Sequence, residues 1–91
     1  MQKEEKIKQI NAVINDYFEN VTKENLVAAK NLMPYFIKVG IFVKDRSAGG
    51  PIRQILRELD EKNALDRIPF VHPVRKDKNT NWFFLRTGAI T

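Results

Sequence analysis

The chain has no cysteine among its 91 residues, which excludes disulfides, thiol catalysis and thiolate metal sites. It has one histidine, His72, beside Pro73 and without a nearby carboxylate motif or second ligand, so no metal site is expected. No apolar run approaches the ~18 residues that would span a bilayer. The opening Met1-Gln2-Lys3-Glu4-Glu5-Lys6 leads into an amphipathic pattern rather than a signal-peptide core. The expectation is a soluble, cytoplasmic protein with no membrane association. Acidic pairs are also scarce, and Asp60-Glu61 are neighbours on a helix that point apart rather than an acid-base dyad. Catalysis is therefore not expected, and no cofactor or small-molecule substrate is indicated.

With 43% hydrophobic residues, a chain of this length has material for one core and one domain over residues 1–91. The net charge of +5 favours a polyanionic partner. Its distribution is uneven. Residues 1–30 carry five cations and five anions, so the whole excess lies in residues 31–91. Within that half, Arg67, Arg75, Lys76, Lys78 and Arg86 face only Asp77 over residues 67–91.

Ile7, Ile10, Ile14, Tyr17 and Val21 alternate at spacings of three and four, with Val13 and Phe18 widening the stripe, and predict an N-terminal helix over residues 1–20. The stripe suits packing on the chain's own core. Its heptad-like spacing also suits a homodimer seam. Leu26-Val27-Ala28 fits either a short strand or the start of a second helix. Leu32, Met33, Phe36 and Ile37 form a helical stripe starting near Lys30 or Asn31, which leaves Pro34 in the first turn and Gly40 as a left-handed cap. Ile41 and Phe42 should pin the following loop to the core. Pro51 suits the start of a third helix, with Ile52, Ile55, Leu56 and Leu59 on one face and Asn63 at its left-handed end. Leu65 should tuck back under that helix. Phe70–Val74 reads as a strand, confined to an edge by Pro73, and Trp82–Leu85 as its hairpin partner. Phe83 with Leu85 should occupy one sheet face and Trp82 with Phe84 the other, with core packing for at least one pair.

This order of elements, an N-terminal helix (1–20), a helical core (27–66) and a basic hairpin (67–86), resembles the winged helix-turn-helix superfamily. Pro51-Ile52-Arg53-Gln54-Ile55-Leu56-Arg57-Glu58-Leu59, followed by Leu65 and a hairpin, looks like the recognition-helix-and-wing half. The similarity covers residues 27–86. It departs in the roughly ten-residue connection between the second and third helices, against three or four in a simple helix-turn-helix. The resemblance implies an α+β fold of three helices and a β-hairpin wing, with double-stranded DNA as partner.

Arg53 and Arg57 share a helix face and Gln54 lies beside them. Arg suits guanine O6 and N7 and Gln suits adenine N6 and N7, so these three are the candidates for major-groove contact. The alternative is a solvated face on which Arg57 pairs with Glu61 and Glu58 with Lys62. On the wing, Arg75, Lys76, Lys78 and Asn79 are candidate phosphate contacts, with Thr80 and Asn81 beside them. Lys44 and Arg46 would extend the basic surface from the loop. Ser47 and the Gly49-Gly50 amides could hold a phosphate at the helix start. A small transcriptional regulator or mobile-element accessory factor is the expectation. The other class is a winged-helix module that binds protein through its first helix or hairpin edge, without DNA.

Overall fold

The computed structural model describes residues 3–45, 49–77 and 79–86. The first helix, α1, runs Lys3–Asn20 with Glu4 and Glu5 in its first turn, where the helix dipole favours acidic groups. Ile7, Ile10, Ile14 and Phe18 are its buried face. The stripe therefore ends on Phe18 rather than on Tyr17 and Val21. Tyr17 is half-buried, and Val21 lies past the helix end and is 48% exposed. Its apolar face belongs to the chain's own core, so a homodimer seam on α1 would have only flanking residues such as Val13 and Tyr17 to use.

Leu26–Ala28 is a strand, β1, which resolves the alternative left open above. Three residues carry too little periodicity to declare a strand, and β1 exists because Leu26, Val27 and Ala28 pair antiparallel with Leu85, Phe84 and Phe83. A 3-10 turn at Ala29–Leu32 then leads into α2, Met33–Lys38, with Pro34 in the first turn. Leu32, Met33 and Phe36 are fully buried. Gly40 at φ +86° donates to the Ile37 carbonyl (3.0 Å), and Ile41 donates to the Phe36 carbonyl (2.9 Å). Those two bonds form the Schellman cap that only a left-handed residue permits at low cost. They also bring buried Ile41 back against Phe36.

The third helix, α3, spans Gly50–Glu61 and buries Ile52, Leu56 and Leu59, with Ile55 half-buried. Pro51 stands in its first turn. Gly49, the residue before it, has φ +94° and is buried against Lys30: a Cβ there would lie 2.6 Å from the Lys30 Cβ and 2.9 Å from its Cα. Glycine is thus required twice over, by conformation and by space. At the other end Asn63 takes φ 55°, with Asn63 N–H to the Asp60 carbonyl and Ala64 N–H to the Leu59 carbonyl. Leu65 packs partly buried against the core.

The hairpin comprises β2, Val71–Arg75, and β3, Thr80–Leu85. The sheet order is β1-β3-β2, all antiparallel, which leaves Pro73 on an edge strand as anticipated. β3 begins two residues earlier than Trp82, because the Lys76 N–H donates to the Asn79 carbonyl (2.8 Å) and closes the turn tightly enough for Thr80 and Asn81 to pair with Arg75 and Val74. Trp82 and Phe84 face the core, while Phe83 and Leu85 are half-buried on the opposite face. The result is an α+β arrangement of three helices, a β-hairpin and a third strand, compatible with winged-helix topology.

Candidate nucleic-acid interface

Two adjoining clefts lie where α3 meets the hairpin. The larger runs between α3 and the wing and brings together Arg53, Arg57, Lys76 and Asn79, four residues named from sequence, with Asp60 and Asp77 also in its lining. Gln54 is exposed on α3 and is not part of that lining. Arg57 is exposed, and neither it nor Lys76 forms an ion pair with another described residue. The smaller cleft, about 420 Å³, sits at the foot of the wing between Lys30, Arg53 and the Thr80–Phe83 stretch of β3.

Several cations that make this half of the sequence basic are engaged in holding the fold. Arg75 ends β2 and points to α3, where its two terminal nitrogens donate to both carboxylate oxygens of Asp60 at 2.8 and 2.7 Å. The hydrogen bonds from Arg75 hold the Asp60 carboxyl below the ordinary carboxylate range, partly opposed by burial and assisted by the guanidinium charge. Arg67 lies 3.5 Å from Glu4 of α1. Arg86 is the most heavily committed. Its guanidinium donates to the Phe18 carbonyl, to the carbonyls of Thr22 (2.7 Å) and Glu24 (2.8 Å) and to Asn25 Oδ1 (3.2 Å), and it lies over the Phe18 ring. It closes the C-terminal end of α1, whose last carbonyls have no partner within the helix. Of the five cations in residues 67–91, Lys76 remains on the wing without an ion pair among the described residues, and Lys78 lies outside them.

Arg46 and Ser47 also lie outside the described residues. Lys44 is exposed in the α2–α3 connection and lines neither cleft. The Gly49 amide, anticipated as an anion donor, is taken by Asp45, whose Oδ1 accepts from it at 2.7 Å. The chain's own carboxylate occupies that position. Sequence reasoning missed Asp45, and it missed Lys30, which falls in the β1–α2 connection far from the hairpin in sequence. The one available signal for Lys30 was its place at the end of a doubtful strand.

Among the described residues no group of three or more His, Cys, Asp or Glu side chains could hold a metal ion, and no helix is long and apolar enough to cross a membrane. His72 is half-buried on β2, paired across the ladder with Phe83. Compared with family models, with curated proteins and with solved structures, the chain finds no match.

Proposed function

We propose that this protein binds double-stranded DNA, as a small transcriptional regulator or mobile-element accessory factor. In this reading α3 enters the major groove, with Arg53, Gln54 and Arg57 toward the base edges and Lys76 and Asn79 at the phosphates. The observation that carries the reading is the cleft between α3 and the wing. It gathers residues from two separate segments into one concave, cationic surface, and the Arg75 pair offsets the charge of Asp60 within it. Arg75 serves here to orient the wing rather than to bind phosphate.

The test is fluorescence-anisotropy binding to a random-sequence duplex from low to physiological salt. Each phosphate neutralised by a lysine or arginine steepens the fall of log K with log salt by about 0.9, so a measurable negative slope is expected. Absence of binding at low salt would end the proposal.

A second reading is a protein-binding module, favoured by Val21 and Val39, which are 48% and 55% exposed and flank a shallow groove with Val13 and Tyr35. Sedimentation of the wild-type chain and of Val39→Asp separates the readings. A dimer that dissociates in the variant, without duplex affinity, would favour the second.

A further inference from the structure

We infer that the cleft at the foot of the wing is a seat for one phosphate group, formed by Lys30, Arg53, Asn81 and the indole N–H of Trp82. The inference rests on the duplex-binding reading for the source of the phosphate, a backbone phosphodiester; it turns Arg53 from the base edges to the backbone and adds an anchoring contact at the base of the wing to that of Lys76 at its tip.

The lining decides the chemistry. Lys30 and Arg53 bring two positive charges, Asn81 and Thr80 bring polar side chains, and Ala28, Trp82 and Phe83 complete the wall, so no carboxylate is among the described residues that line the cavity. The larger neighbouring cleft contains Asp60 and Asp77 and is a poorer place to hold an anion tightly. Trp82 is 6% exposed and its indole is a donor only, with no acceptor for it among the described residues. A phosphate oxygen seated in the cleft can accept from it.

Backbone geometry adds to this. Lys76 pairs with Asn79 and the Leu85 N–H donates to the Phe70 carbonyl (2.7 Å), so the odd-numbered residues of β3 direct their backbone groups to β2. Thr80 and Trp82 therefore direct theirs to the β1 side. There β1 ends opposite Phe83, before reaching them. Their N–H groups point toward the side on which Ala28 and Lys30 border the cleft.

The position is fixed by the fold. The close packing of Gly49 on the Lys30 backbone locks the start of α3 against the β1–α2 connection, so Lys30 and Arg53 keep a constant relation. Arg53, Thr80, Asn81 and Trp82 line both clefts. A phosphate seated at the foot of the wing would thus lie beside the strand whose bases α3 meets.

The test is an ¹H–¹⁵N spectrum of the full chain, titrated at constant ionic strength with inorganic phosphate and separately with the dinucleotide TpT. Duplex anisotropy is measured in parallel. Because Trp82 is the only tryptophan, its indole N–H gives an isolated reporter, read with the Asn81 side-chain amide. Saturable shifts of both signals with both anions are expected, abolished in Lys30→Glu and retained in Lys8→Glu, which changes net charge equally. Lys30→Glu should also weaken duplex binding tenfold or more at low salt and flatten the salt slope by about 1. Duplex binding with an unchanged slope in Lys30→Glu, and no shift with either anion, would overturn the seat and leave the role of α3 standing. Shifts with phosphate in a protein that binds no duplex would keep the seat and refute its source.

Discussion

Arg75 and Asp60 form a two-pronged ion pair that ties the end of β2 to the last turn of α3. The planar guanidinium matches the carboxylate at both oxygens, so the pair fixes an angle as well as a distance. It gives the wing a defined orientation over α3. It also engages the carboxylate that would otherwise repel a phosphate in the cleft.

Because Arg75 depresses the Asp60 pKa, the contribution of the pair to stability is fully present above the ordinary carboxylate range and is lost as pH falls through that range toward the depressed value. Wild type should therefore exceed Asp60→Asn in thermal stability at neutral pH, and the difference should shrink on acidification. Melting curves at matched ionic strength from pH 7 to pH 3 measure it. A difference that stays constant across that range would show that Asp60 acts through packing alone.

The same pair governs what Arg75 does in binding. Arg75→Lys keeps the charge but not the fork, so duplex affinity should fall although the count of cations is unchanged. The salt slope should stay nearly where it was. Lys76→Ala, by contrast, should flatten the slope by about 1 if it meets a phosphate. A slope flattened by about 1 in Arg75→Gln/Asp60→Asn, which removes the pair without changing net charge, would return Arg75 to the phosphates.

Local chemistry explains which parts of this molecule were legible in its sequence. Gly40, Asn63 and Pro34 are read correctly because a left-handed cap or a first-turn proline depends on neighbours within one turn. β1 was ambiguous because its reason for being a strand is β3, at the other end of the chain. The basic bias of the last 25 residues was plain, but the engagement of Arg67, Arg75 and Arg86 depends on partners in α1, α3 and the α1–β1 turn, which no local pattern shows. Alternation placed Trp82 with Phe84 and Phe83 with Leu85, and only the third strand and the helices determined which pair faces inward.

Arg86→Lys tests the first of those hidden roles. A lysine cannot reach the Phe18, Thr22 and Glu24 carbonyls and Asn25 Oδ1 together, so the α1 terminus would lose several charge-assisted bonds. A loss of about 2 kcal/mol in urea denaturation is expected, with duplex affinity per folded molecule little changed. A neutral effect on stability would mean that water replaces these bonds without cost.

Gly49 and Gly40 offer a matched comparison. Both have positive φ, but a Cβ on Gly40 meets nothing within 4 Å whereas one on Gly49 strikes the Lys30 backbone. Gly40→Ala should cost about 1–2 kcal/mol for the left-handed backbone alone. Gly49→Ala adds a clash worth about 1–3 kcal/mol more. Equal costs in denaturant titrations would show that the start of α3 can move away from Lys30.

The assignment of α1 to the core gives the last prediction. Ile10 is fully buried within one chain, so Ile10→Ala should cost about 2–5 kcal/mol at any protein concentration. Val39, more than half exposed, should tolerate Asp within about 0.5 kcal/mol. A dimer seam on α1 would reverse the pattern for Ile10, because its cost would then vanish on dilution into monomers. Melting curves of both variants over a hundredfold range of concentration decide the matter. A concentration-independent loss for Ile10→Ala with a neutral Val39→Asp keeps α1 inside its own protomer, whereas a loss for Val39→Asp that grows with concentration would reveal association through the α1–α2 groove.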